Sequence, residues 1–248
     1  MFSYIFHTFF YNPLYNLLVL LIDVLPGADV GLAVVVLTII VKFVLFPLSQ
    51  KALKTQVKLK VVQKEIDEIK KQYKEDQKKL AEETLNVYRK HNINPFAGFA
   101  TLLIQIPLVF ALYFIFAKGG LPSINTSILY SFISVPEMAN MHFLGVFNVA
   151  EKSIVAAILV GITQFFQAKL SLGNQTLINK ESKPFGQNDF KEDFVKGLHL
   201  QIKYVLPVVM ALVSANLIAV VPLYWIVGNL FMIGQEIYLR KHKEALNN

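Results

Sequence analysis

Gly31 to Leu48 reads GLAVVVLTIIVKFVLFPL, eighteen residues with one charge, Lys42. A run this long and this apolar is that of a membrane-spanning helix rather than a buried core helix. A lysine inside such a helix costs about 2.5–3.5 kcal/mol near the bilayer centre on insertion scales. The chain is therefore expected to give that cation a hydrated place and a task there. A competing reading places Lys42 about six residues, or ~9 Å, from the end of its span, with its stem snorkelling to that interface.

The composition agrees with a membrane protein. Of 248 residues, 54% are hydrophobic and only 17% charged, and the mean hydropathy is +0.49. There is no cysteine, which excludes disulfides and thiol chemistry. Met1 to Ile22 has no Lys or Arg and no A-x-A site follows, so it is not read as a signal peptide. Residues 1–27 are set apart as an N-terminal segment. Pro13 suits the first turn of a helix over Leu14 to Leu25. Such a helix reaches only ~18 Å and is expected to lie at the outer interface, anchored by Phe and Tyr. A full span from Met1 is the alternative.

Past Pro47 the character changes. Residues 49–94 hold twelve Lys/Arg against seven acids, which places them in the cytoplasm by the positive-inside rule. Leu59, Val62, Ile66, Ile69 and Tyr73 are spaced as a heptad seam. Leu80, Thr84, Val87 and Tyr88, or Ala81, Leu85 and Tyr88, give a second stripe. Two antiparallel helices joined over Lys74 to Lys79 would bury these stripes together. The hairpin is either a solvated tether or a basic surface for anionic lipid, RNA or an acidic protein face.

Asn94-Pro95 starts a helix with a cap and a first-turn proline. The uncharged run 96–117 follows, with Gln105 and a kinking Pro107 in its middle. The loop from Lys118 to Glu151 has no basic excess and suits the outside. A span over 153–170 contains Gln164 and Gln167. Lys169 to Lys203, with six lysines and four acids, is expected to be a flexible cytoplasmic loop. Tyr204 to Leu239 is divided into spans 204–218 and 221–239 by a turn near Asn216 to Pro222, because one span would put the basic tail outside. With the first span at 30–48, residues 28–248 form an all-α core of five spans, N-terminus out and C-terminus in.

Three stretches together resemble the YidC, Oxa and Alb family of membrane protein insertases. They are GLAVVVLTIIVKFVLFPLSQKAL, NPFAGFATLLIQIPLVFALYFIF and PLYWIVGNLFMIGQEIYLRK. The resemblance implies a bacterial plasma-membrane protein with a hydrophilic groove open to cytoplasm and lipid. It places Lys42 where the family usually has arginine, facing acidic or polar parts of a substrate's extracellular segment. Lysine keeps the charge but not the planar fork. Gln164 and Trp225 fall where relatives line the groove, and Thr38 lies one turn before Lys42. Gln105, Asn229 and Gln235 also match and are assigned more to packing. The implied partners are nascent membrane proteins, membrane lipid, and the ribosome and a Sec translocon, with the chain acting as a monomer and without cofactor.

Blander roles stand beside these. Gln105, Gln164 and Asn229 could hydrogen-bond between helices, for ~0.6 kcal/mol each. Trp225 could belong to an interfacial belt. The five histidines show no metal spacing, and no P-loop, G-x-S-x-G or H-E-x-x-H occurs, so neither a metal site nor an enzyme is expected. A small transporter or channel for a polar solute is the competing function. No internal repeat favours it.

Overall fold

The computed structural model describes residues 2–74, 76–94, 97–118, 121–172 and 201–247. It is mostly helical. The helices are α1 (Phe2–Phe6), α2 (Asn12–Val24), α3 (Val30–Val44), α4 (Phe46–Val61), α5 (Gln63–Gln72), α6 (Gln77–Lys90), α7 (Ala97–Ala117), α8 (Ile154–Leu172), α9 (Leu206–Asn216) and α10 (Val220–Asn247). One two-stranded antiparallel hairpin, β1 (His142–Phe143) and β2 (Phe147–Asn148), lies between α7 and α8. The chain divides into two units, residues 1–42 with 108–248, and residues 43–107.

Among the described residues, three helical stretches are long and apolar enough to cross a membrane: Ser3–Val24, Ile154–Ser171 and Val220–Leu239. Val30–Val44 and Phe46–Thr55 pass the same test only as a pair. Leu103–Ala117 and Lys203–Asn216 are apolar but shorter. α8 and α9 turn large apolar side chains outward, among them Ile154, Ile158, Phe166, Val208 and Leu212. A protein stable in water rarely exposes such a surface, whereas lipid is a matching solvent for it.

Several expected boundaries move. The N-terminal helix is not confined to Leu14–Leu25. α1, a π-helical turn over His7–Tyr11 and α2 follow one another without a break. Pro13 sits where that turn relaxes into α2, so it marks a change of winding and not a start. The rings of Phe6, His7, Phe10 and Tyr11 pack together there, Phe6 stacked on Phe10 and the others edge-on or tilted, which helps hold the earlier residues helical. The helix expected over 30–48 is interrupted at Leu45, because Pro47 cannot donate to the preceding turn and its ring clashes with it. Pro47 instead occupies the first turn of α4. The turn expected over Asn216–Pro222 is confined to Leu217–Ala219, with Pro222 inside the first turn of α10. The basic tail from Arg240 continues α10 to Asn247. Pro95 and Phe96, and the loop holding Lys180, Lys183, Lys191 and Lys196, lie outside the described residues.

In the first unit, one end is tied by polar contacts from the 121–152 segment. Asn16 on α2 donates to Ile128 O at 2.9 Å and accepts from Tyr130 N at 2.6 Å. The Tyr15 hydroxyl accepts from Asn125 N at 2.7 Å. The Asp29 carboxylate accepts from Leu32 N at 2.9 Å, in the first turn of α3, and from Leu144 N at 2.8 Å in the β-hairpin. Gly31 faces Phe143 so closely that a Cβ would come within 2.5 Å of the ring side chain. The α9–α10 turn is held in the same way: Ala219 N donates to Glu151 O at 2.7 Å and Val220 N to Val149 O at 2.9 Å. α8 packs against both α9 and α10. Gly161 permits the first contact, since a Cβ there would stand 3.1 Å from the Ala211 Cβ.

In the second unit, Val62, Ile66, Val87 and Ile93 form a buried cluster, joined by Leu59, Ile69 and Tyr88. Most of the expected seam is used, but Val62 ends α4 and α5 starts afresh at Gln63, so the heptad is not one continuous helix. Leu85 is exposed, and Ile93, beyond the expected stripe, closes the cluster. Glu65 binds Lys90 Nζ at 2.8 Å and His91 Nε2 at 2.9 Å, which pins α5 to the end of α6.

Two outcomes follow from these contacts. Asp29→Ala leaves two backbone donors without their carboxylate and should cost about 2 kcal/mol, read as a lower unfolding midpoint in detergent. Lys90, and then His91, hold the Glu65 carboxyl below its usual value of 4.5. Its contribution is therefore complete above that value and lost as pH falls below it. Hydrogen exchange in α5 and α6, corrected for intrinsic rates, should accelerate on acidification, and Glu65→Gln should abolish the carboxylate's share of that response. Added salt should weaken the pair, because it is exposed.

Candidate functional site

Lys42 stands in the last turn of α3, where the helix dipole favours a cation. Its ammonium lies 5.7 Å from the centre of the Tyr224 ring on α10, within cation–π range. The Tyr224 side chain is itself buried. One turn further along α10 is Gly228. A Cβ at that position would lie 3.1 Å from Lys42 Cε and 3.4 Å from Nζ. The glycine supplies room and not backbone freedom: the residue is helical, and a Cβ there would press on the end of the lysine stem. Tyr224 and Gly228 are four residues apart and share one face, so together they form the seat of the lysine.

Thr38 is fully buried one turn before Lys42. Its hydroxyl donates to Val34 O at 2.6 Å, so its hydrogen stays within α3.

The next residue of α10 faces elsewhere. Asn229 Nδ2 donates to Thr163 Oγ1 on α8 at 3.2 Å, and the Thr163 hydroxyl is directed back at Leu159 O and Val160 O of its own helix. Asn229 thus makes a hydrogen bond between α10 and α8. Adjacent to Thr163 begins a polar row. Gln164 Nε2 donates to Gln167 Oε1 at 3.4 Å, Gln167 Nε2 donates to Ser171 Oγ at 3.1 Å, and Ser171 Oγ donates to Glu236 Oε2 at 2.7 Å. The spacing 164, 167, 171 is that of one helix face, and the face looks at α10.

α10 is therefore the common wall of the site. Lys42 of α3 meets it at Tyr224 and Gly228, and α8 meets it at Asn229 and Glu236. Trp225 is half-buried beside Tyr224, and Gln164 is half-buried on α8. Gln235 is buried on α10. Gln105 is half-buried on α7, in the unit of residues 43–107. Sequence reasoning passed over Tyr224, Gly228, Thr163, Ser171 and Glu236. The signal for Glu236 was present, because it is the one charge among Val220–Leu239, the same criterion that singled out Lys42. The other four needed the partner helix. Among the described residues, no group of three or more His, Asp or Glu is placed to hold a metal ion.

A family model described as 60Kd inner membrane protein matches residues 21–246. The chain is 29% identical over 216 residues to a membrane protein insertase YidC of Clostridium tetani, covering 87% of this chain and 84% of that one. It is 26% identical over 236 residues to a YidC insertase of Fusobacterium nucleatum, covering 94% and 98% of the two chains. It is also 25% identical over 222 residues to the membrane protein insertase MisCA of Bacillus subtilis, covering 87% of this chain and 72% of that one. With a match that takes in α3, α8 and α10 whole or nearly whole, this chain belongs to the 60Kd inner membrane protein family.

Proposed function

We propose that this chain is a multi-pass membrane protein that inserts other membrane proteins into the bilayer. The observation that carries the proposal is Lys42, a cation held inside an apolar helix against Tyr224 and Gly228, in a chain whose relatives are named insertases. An apolar wall does not need a charge for packing, and one placed there is expected to act on a ligand.

The mechanism follows from electrostatics. A hydrated groove in the cytoplasmic half of the membrane lowers the cost of bringing a polar segment part-way across. A fixed cation in it attracts carboxylates through a medium of lower dielectric than water. The apolar stretch of the substrate then leaves sideways into lipid, which is downhill by ~25 cal/mol for each Å² of apolar surface removed from water. The proposed groove opens to cytoplasm and lipid and is lined by Lys42, Gln164 and Trp225. Thr38 supports the lysine from within α3, and Gln105 and Asn229 brace the helices. The proposed topology has five spans with the N-terminus outside and the C-terminus inside. Nascent chains are the substrates, and the ribosome and a Sec translocon are proposed as helpers of a monomeric insertase.

The test is reconstitution in liposomes with a single-span substrate carrying a short acidic outer tail. Insertion above the protein-free control is the expected result, and flux of a polar solute without insertion would replace this reading by a transporter. Lys42→Ala should lower insertion of that substrate about tenfold, equivalent to ~1.4 kcal/mol, while Lys42→Arg retains it. Gly228→Leu should mimic Lys42→Ala by displacing the lysine stem, with the unfolding midpoint as the control for stability. A cysteine at Gln164, in a background free of thiols, should react with aqueous reagent from the inner side. A sealed thiol there would remove the groove.

A further inference from the structure

We propose that the tip of the β-hairpin is a membrane wedge. Leu144 and Val146 enter the leaflet at the start of α3, the outer leaflet in the proposed topology, and hold that end of the protein at a fixed depth. The inference needs the chain to be a membrane protein, but not that it inserts others.

The turn itself points to lipid. Val146 N donates to Phe143 O at 2.8 Å and closes a turn whose central residues, Leu144 and Gly145, have φ of 47° and 73°. Positive φ at both central positions fits a type I′ turn, where Asn-Gly and Asp-Gly are favoured. Leucine carries a Cβ that crowds this backbone, and its side chain has no polar atom to bond it locally. The strain brings no packing in return, because Leu144 is 66% exposed and Val146 64%. A large apolar side chain that is costly to place and then left outside the protein calls for an apolar phase to receive it.

The β-hairpin also stands at the right height. Asn140 N donates to Ala28 O and Val30 N to Asn140 O, each at 2.9 Å, and the Asp29 carboxylate accepts from Leu144 N at 2.8 Å. Phe143 abuts Gly31, where the apolar run of α3 begins. On the other strand, Val149 N donates to Met141 O, and Val149 O accepts from Val220 N at the start of α10, both at 2.9 Å. The tip is thus tied by backbone to the first turns of two apolar helices and does not stand off from them. Residues 119–150 contain a single Asp, Glu, Lys or Arg, which is Glu137, so little charge has to be kept out of lipid. Phe132, Val135 and Met138, in the stretch leading to the β-hairpin, are exposed as well. Just past it, α8 opens with Ile154 and Val155 exposed, so the apolar surface resumes where a helix long enough to span begins.

The experiment attaches a nitroxide at Val146→Cys in the full chain, which has no other thiol, in liposomes of zwitterionic lipid. Collisions with oxygen, which concentrates in lipid, should exceed those with a water-soluble nickel chelate. Leu144→Asn suits the turn, so the unfolding midpoint in detergent should hold. It removes the apolar apex, so chelate collisions at the label should rise several-fold, whereas Leu144→Met should keep them low. A label that meets the chelate as freely as oxygen would overturn the inference by placing the tip in water. A label shielded from both reagents would overturn it by placing the tip against protein. Unchanged collisions in Leu144→Asn would overturn the part given to Leu144. Insertion of a single-span substrate by the unlabelled chain in the same liposomes tests the insertase reading separately.

Discussion

A charge held inside an apolar helix is stable only if its surroundings are built for it, and Lys42 is the point where this chain meets that demand. The desolvation cost of an ammonium is offset here by a ring face at 5.7 Å and by room to lay its stem across a glycine. Both contributions come from α10, which is remote in sequence from α3. The same helix also meets α8 through Asn229 and Glu236. One wall thus positions the cation and the polar row, and a change in its register would disturb both together.

The contacts that hold that wall are at the opposite end of the unit. Asn16, Tyr15 and Asp29 spend their polar atoms on the backbone of the 121–152 segment, and that segment in turn holds the α9–α10 turn through Val149 and Glu151. Hydrogen bonds to backbone suit this task because they set position as well as adhesion. Helices in lipid have little hydrophobic drive to associate, so small residues and polar contacts decide how they pack. Gly31 against Phe143 and Gly161 against Ala211 are the small-residue counterparts of the same bracing.

Lys42 and Glu65 illustrate two uses of charge. Glu65 bridges Lys90 and His91 at an exposed helix end, where water screens the interaction and its work is to align two helices. Lys42 has no comparable need for alignment, because α3 is already packed through Val30, Ala33, Val34 and Leu37. Its placement is costly, and the seat on α10 is what the fold supplies to hold it.

Hydropathy and charge order along the chain were enough to identify a helical membrane protein, the lysine in α3 and the basic stretch after it, because these depend on transfer free energies that each residue carries with it. Three motifs were enough to point to the insertase family. What only the tertiary structure decided is which side chains meet. Tyr224 and Gly228 look like ordinary helix residues until α3 is laid against them, and Ser171 acquires a role only beside Glu236. The helix breaks at Leu45 and Val62, and the early start of the N-terminal helix, were also seen only in the fold. At Leu45 the cause is local, the proline two residues on, whereas aromatic packing and contacts with neighbours settle the other two. A linear pattern records the cost of each residue. Only the folded chain determines the partner that offsets it.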